Sequence, residues 1–348
     1  MEWVKTSTDV PFNLANSGVR NYPLSGLPVD WTALALCGLG AYGYAPLVEA
    51  IARKCGVDPD CVATAQGTSM ANHLAMAAVL EARDEVLIES PAYPLLAETA
   101  EYLCAKVSLF DRPAEANFDI DLDLLRRAVS PRTRLIVISN LHNPSCAYSA
   151  ESTLRQIGDI ARSVQARILV DEVYLDLLFE NAPETAFKLG NEFMVTNSLT
   201  KVYGLSGLRC GWVVAEPELI RRIYRLNDLF GVNNPYLTDQ VSCIALANLD
   251  QIGQWARELL DVNRALANEF IVATPELDYE PIETGTVLFP RIDFPVEKFC
   301  AFLREQLQTV VTPGWFFGSR DRIRIGIGGE TSILKDGLNR IHDALSLM

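Results

Sequence analysis

The sequence predicts an α/β protein: a large domain built on a mostly parallel, doubly wound sheet, with a smaller α+β domain beside it. Three observations lead there. Short apolar runs, EVLIES, RLIVISN, RILVDEVY and EFMVTNS, recur between about residues 85 and 198. Stretches of helical period separate them, the alternation expected of strands joined by helices that cover both faces of a sheet. After about residue 215 the alternation stops. At 348 residues the chain also exceeds what one core usually serves.

Residues 1–35, rich in Pro, Gly, Asn and Ser, read as an irregular arm. APLVEAIARKCG and TSMANHLAMAAVLEA then carry helical periodicity. EVLIES is a strand, LLAETAEYL a helix, KVSLF extended, DLDLLRRAV an amphipathic helix and RLIVISN a buried strand. Ser149 stands where an N-cap would open the helix AESTLRQIGDIARSV. RILVDEVY and EFMVTNS are the next strands. Beyond residue 215 come the long helix LDQIGQWARELLDVNRALANEFI, the segment VLFPRID, the helix VEKFCAFLREQL, the strand RIRIGIG and a C-terminal helix. The expected division is residues 36–262 for the large domain and 1–35 plus 263–348 for the small one, the arm joining the latter.

Composition narrows the function. The chain is 49% hydrophobic with a net charge of −14, which repels phosphate backbones and anionic lipid and argues against nucleic-acid and membrane partners. No run approaches the roughly 18 apolar residues of a membrane span, and the N-terminus lacks a signal-like core, so a cytoplasmic protein is expected. Eight dispersed cysteines and three histidines show no zinc spacing; reduced thiols and no metal are expected.

In open α/β sheets ligands bind beyond the carboxyl ends of strands, and the unusual polar residues fall there. Asn143 and Pro144 follow RLIVISN, Asp171 closes RILV, and the turn Gln66-Gly67-Thr68-Ser69 opens a helix. The run SLTKVYGLSGLRCGW, residues 198–212, sets Lys201 between Ser198 and Arg209, both natural phosphate ligands. Its glycines, Gly204, Gly207 and Gly211, allow tight turns and a close approach to a ligand. An amine in a dry or cationic pocket loses pKa and becomes a nucleophile toward carbonyls. Lysine, phosphate ligands and a nearby acid describe a pyridoxal phosphate site.

On these motifs the chain resembles the fold-type I pyridoxal phosphate enzymes of the class I/II aminotransferase family, over essentially its whole length from about residue 12. The resemblance implies a transferase moving an amino group between an L-amino acid and a 2-keto acid, in a homodimer with shared active sites. Lys201 would hold the cofactor as a Schiff base and carry the proton. Asp171 would pair with the pyridine nitrogen, and Asn143 and Tyr174 with the phenolate oxygen. Gly67, Thr68, Ser69, Ser198 and Arg209 would form the phosphate cup, and Tyr93 would stack on the ring. Arg324, in RIRIGIG, would grip the substrate α-carboxylate, beneath an arm carrying Gly18. A C–S β-lyase, a decarboxylase or a specialised biosynthetic enzyme on the same scaffold is the alternative.

Two departures bear on substrate choice. The family's glycine after the Asn-Pro pair is replaced in Asn143-Pro144-Ser145-Cys146, which makes Cys146 a candidate for the pocket wall. The partner-subunit tyrosine that reaches the phosphate has two candidates, Tyr42 and Tyr44. His142 is a candidate neighbour of the cofactor, and Arg20 a candidate for a second substrate carboxylate.

Overall fold

The structure is a computed structural model that describes residue 6 and residues 8–347. Residues 1–5 and 7 of the expected arm lie outside the described residues. Seven strands form the central sheet: β1 (Val62–Gln66), β2 (Glu85–Ser90), β3 (Lys106–Asp111), β4 (Thr133–Ser139), β5 (Arg167–Asp171), β6 (Phe193–Ser198) and β7 (Cys210–Val214). Their order is β1-β7-β6-β5-β4-β2-β3. Neighbours run parallel except β7, which is antiparallel to both β1 and β6. Residues 199–209 join β6 to β7, fewer than the dozen or so that a parallel crossover needs.

Apart from the edge strand β3, which is largely exposed, the strands are buried on both faces, which is why they read as apolar runs. In β4, Ile136 and Ile138 enter one apolar cluster, with Ile168, Val170 and Trp212, while Leu135 and Val137 enter another, with Leu169, Met194 and Val213. Helix α1 (Ala45–Cys55) packs on the first face, and α2 (Gly67–Val79) on the second through Leu74, Ala75 and Met76. Helices α3 (Pro94–Tyr102), α4 (Leu122–Ala128), α5 (Glu151–Ser163), α6 (Pro217–Asn227) and α7 (Tyr236–Ala247) complete the covering.

A third cluster gathers Leu14 with Ile323 and Ile325 of β8 (Ile323–Gly326), Phe299 and Leu303 of α9 (Val296–Leu307), and Leu334 and Ile341 of α10 (Thr331–Leu347). Helix α8 (Leu249–Ala273) runs between clusters, with Ile252, Ala256 and Leu260 in the first and Ala267 and Ile271 in the third. The arm is held to this C-terminal part by a two-residue parallel pairing of Phe12–Asn13 with Thr309–Val310.

Some elements differ from the sequence reading. Strand β1, VATAQ, escaped notice because its alanines give little strand signal; α6 and α7 were likewise unread. Ser149 does not cap α5. Ala150 holds the cap position, while the Ser149 hydroxyl accepts from Arg112 Nη2 at 3.4 Å. All eight cysteines are free thiols. Among the described residues no helix is long and apolar enough to cross a membrane.

One buried ion pair ties the carboxyl edge of the sheet together. Glu89 of β2 and Arg112, just after β3, are fully buried, with Nη1 and Oε2 2.7 Å apart. Glu89 also accepts from the Ser139 N–H at 2.7 Å, and Arg112 Nε donates to the Phe118 carbonyl at 2.5 Å. Removing one partner of such a pair leaves an uncompensated charge. Arg112→Ala is therefore expected to cost about 3–5 kcal/mol in urea unfolding. A loss below about 1 kcal/mol would mean that Glu89 takes up a proton and is tolerated neutral.

Candidate active site

A cavity of about 250 Å³ opens at the carboxyl ends of β1, β4, β5 and β6. It brings together Thr68, Ser69, Tyr93, Asn143, Asp171, Tyr174, Lys201, Arg209 and Arg324, residues spread over some 250 positions of sequence. Gly67 and Ser198 sit directly behind its wall through their contacts with Arg209 and Thr68. Gly18 does not face the cavity; its Cα packs on Lys201, where an added Cβ would lie 3.3 Å from the lysine Cδ.

One end is built for a dianion. Helix α2 starts there, and the N–H groups of its first turn have no acceptor within the helix. Gly67 turns the chain with φ +75°, and a side chain there would collide with Arg209 Nη2 at 2.3 Å. The Arg209 guanidinium donates to the Gln66 carbonyl at 3.1 Å, and the Thr68 hydroxyl to Ser198 Oγ at 2.7 Å. Of the other loop glycines, Gly204 (φ +63°) is pressed against the Arg20 carbonyl and Gly211 against Gly67, while nothing lies within 4 Å of a Cβ on Gly207. The expected close approach to a ligand is thus an approach of the chain to itself, and Gly207 is not constrained by crowding.

At the end of β5, Asp171 is buried, and burial raises its pKa above the usual aspartate value. Asn72 Nδ2 donates to it at 2.9 Å and the Val173 N–H at 3.1 Å. Asn72 is itself fixed by the Thr196 hydroxyl at 2.5 Å. Sequence reasoning missed Asn72; its only signal is a polar residue on an otherwise apolar helix face.

Lys201 follows β6, and its Nζ donates to Ser17 Oγ at 3.1 Å. Burial pushes the Lys201 amine down to about 8; the Arg324 charge acts the same way and Asp171 opposes both. The neutral amine therefore dominates above about pH 8. In cofactor-free protein, acylation of Lys201 is expected to reach half its maximal rate near pH 8, whereas an exposed lysine needs about pH 10.4. Peptide mass spectrometry across a pH series checks this; a midpoint near the exposed-lysine value would refute it.

Arg324 of β8 is buried and has no carboxylate partner among the described residues. Its Nη1 donates to Asn143 Oδ1 at 2.9 Å and Nη2 to the Ala15 carbonyl at 3.0 Å, over the Phe317 ring at 4.7 Å. Its Nε has no hydrogen-bond partner. Three cations, Lys201, Arg209 and Arg324, thus face one acid, Asp171, in a cavity of an otherwise acidic protein. Such a site draws anions.

This donor set fits pyridoxal phosphate. A helix N-terminus with hydroxyls and Arg209 suits its phosphate, and a buried acid suits a protonated ring nitrogen. A neutralisable amine suits its aldehyde, and the orphaned guanidinium edge of Arg324 suits a substrate carboxylate.

Other candidates lie elsewhere. His142 is buried between Ser145 Oγ (2.6 Å) and the Pro91 carbonyl (2.8 Å), outside the cavity wall. Cys146 takes φ +64°, which turns its thiol toward Gly285 and the Val287 carbonyl. It lines instead a separate groove of about 1060 Å³. Arg20 pairs with Glu330 and lies over Trp255, away from the cavity. Tyr42 is 55% exposed with its hydroxyl 3.3 Å from Asp228, whereas Tyr44 is half-buried against Tyr236.

Comparison with known proteins agrees with this geometry. The sequence profile described as "Aminotransferase class I and II" matches residues 38–341. Capreomycidine synthase of Streptomyces vinaceus is 30% identical over 348 residues, covering 96% of this chain and 89% of that protein. Aspartate aminotransferase of Pyrococcus horikoshii is 28% identical over 312 residues, covering 86% and 79%. The crystal structure of a PLP-dependent aminotransferase from Streptococcus suis has a TM-score of 0.93 at 26% identity, covering 99% of this chain and 96% of that one.

Proposed function

The chain belongs to the class I and II aminotransferase family and is a pyridoxal-phosphate-dependent enzyme, and we propose that it moves an amino group between an L-amino acid and a 2-keto acid. The observation that carries this reading is the convergence of Lys201, Asp171 and Arg324 on one small cavity. When bound, the cofactor supplies an aldehyde that condenses with amines and a ring that takes up electrons from a neighbouring bond.

The remaining work falls to side chains. Lys201 Nζ would hold the cofactor, and the same amine would carry the proton that leaves the substrate Cα. Burial and the Arg324 charge make that amine less basic than an exposed lysine, which suits it to accept a proton. Asp171, aligned by Asn72, would hold the proton on the ring nitrogen. Asn143 accepts from Arg324 through Oδ1, which leaves its amide Nδ2, with Tyr174, to donate to the phenolate oxygen. Arg324 offers the α-carboxylate its guanidinium, pre-oriented by Asn143, Ala15 and Thr312.

The reading includes a homodimer in the cytoplasm. Leu36, Leu39, Leu229, Phe230 and Val232 are each more than half exposed, on two loops joined by the Tyr42–Asp228 contact. An apolar surface of this kind suits a second copy of the chain. Tyr42 is the more exposed of the two tyrosines, which supports it as the one that would reach across. Sedimentation at several concentrations tests this, and a monomer throughout would overturn it.

A second reading, a specialised biosynthetic enzyme whose product keeps the amino group, is favoured by the likeness to capreomycidine synthase over nearly the full chain. Mixing holoenzyme with single amino acids separates the two. Pyridoxamine phosphate and a 2-keto acid identify transamination. A rearranged amino acid, or pyruvate with ammonia from a cysteine thioether, without pyridoxamine phosphate, identifies the alternatives.

A further inference from the structure

We propose that Ser17 is a positioning residue for the proton-carrying amine: its hydroxyl docks Lys201 Nζ beside Tyr174 in both protonation states of the lysine. The proposal rests on the aminotransferase reading for what Lys201 does in turnover; the docking contact itself does not.

Ser17 is buried, and its Oγ stands 3.1 Å from Lys201 Nζ and 2.7 Å from the Tyr174 hydroxyl. Its segment is pinned on both sides. Leu14 N–H donates to the Val310 carbonyl at 2.8 Å, and Val19 N–H to the carbonyl of Lys201 itself at 2.8 Å. Between these anchors the Ser17 carbonyl accepts from the Thr286 hydroxyl at 2.8 Å. Gly18 lets this stretch lie against the lysine stem. The hydroxyl is therefore fixed relative to the main chain that bears the amine.

A serine hydroxyl has one donor and two acceptor sites. When Lys201 is an ammonium, Oγ accepts from both Nζ and Tyr174. When the amine is neutral, the same hydroxyl turns its hydrogen to the Nζ lone pair. Tyr174 donates to Oγ in the cofactor-free chain and would turn its one hydrogen to the phenolate oxygen with cofactor bound, which leaves Oγ to Nζ. An alanine offers neither, and it leaves the buried Tyr174 hydroxyl without this partner. Because a bond from a charged donor is the stronger of the two, Ser17 favours the ammonium, and its removal lowers the Lys201 pKa. The charged and titratable groups that face Nζ (Asp171, Tyr174, Arg209 and Arg324, with Tyr93 across the cavity) stay in place when Ser17 is changed.

The test uses Ser17→Ala and Ser17→Cys, the latter keeping volume but bonding weakly. In the cofactor-free full chain, the pH midpoint of Lys201 acylation is expected to fall by about half a pH unit or more in both variants. In holoenzyme mixed rapidly with Cα-protiated and Cα-deuterated amino acid, proton transfer is expected to slow by about tenfold or more. Wild-type midpoints in both variants, or an unchanged proton-transfer rate, would overturn the proposal. If wild-type holoenzyme transforms no amino acid, the aminotransferase reading fails and the midpoint alone decides the role of Ser17.

Discussion

Lys201→Ala is expected to lower turnover by about ten-thousand-fold or more, the upper end of what a positioned general acid–base contributes. Stability should change little, because the lysine reaches into the cavity and gives up one hydrogen bond, to Ser17, while its stem rests on a glycine. The residues proposed to hold the phosphate are untouched by the substitution, so cofactor should still bind, but borohydride should no longer tether it to the chain. Single-turnover rates, with circular dichroism as the control for folding, decide the matter. Activity within tenfold of wild type would remove Lys201 from the mechanism.

Asp171→Asn is expected to cost about 10²–10⁴-fold in kcat/KM, which corresponds to the 3–5 kcal/mol lost when one side of a buried charge pair is removed. Asparagine preserves the shape and can keep the contact from the Val173 N–H. It cannot hold a proton on the ring nitrogen by charge. Asp171→Ala should therefore be no more than modestly worse than Asp171→Asn. If Asp171→Asn keeps nearly full activity, the carboxylate is only a cap for the turn after β5. Steady-state kinetics of the two variants against one amino acid separates the two roles.

Much of this site was legible in the sequence because its chemistry is concentrated where strands end. Lys201 lies between Ser198 and Arg209, residue types that commonly bind phosphate, within a dozen residues, and Asp171 closes an apolar run where a lone charge needs a reason to be buried. The sheet was legible for a similar reason: strands buried on both faces cannot hide their apolar character, and β1 escaped only because alanines fill it. What was not legible is contact over distance. Asn72 meets Asp171 across 99 positions and Ser17 meets Lys201 across 184, and neither residue type carries a local signal for such a partner. Cys146 misled because the side-chain direction at φ +64° depends on a turn that the sequence names only by lacking the usual glycine. Ser149 misled because a cap position in sequence says nothing of a buried arginine competing for the hydroxyl.

The docking of the arm has a consequence for how the enzyme is made. Phe12 and Asn13 pair with Thr309 and Val310, and the Leu14 carbonyl accepts from the Gly326 N–H at 2.6 Å. The arm leaves the ribosome long before its partners Thr309 and Val310 are made. Closing a loop of that length adds little entropy beyond closing one half as long. It does order events in time: the sheet can condense while the chain is still growing, but Arg324 joins the site only once β8 is made. Catalytic competence therefore waits for the C-terminal part, and a nascent chain stalled before β8 has a sheet and a lysine but no Arg324.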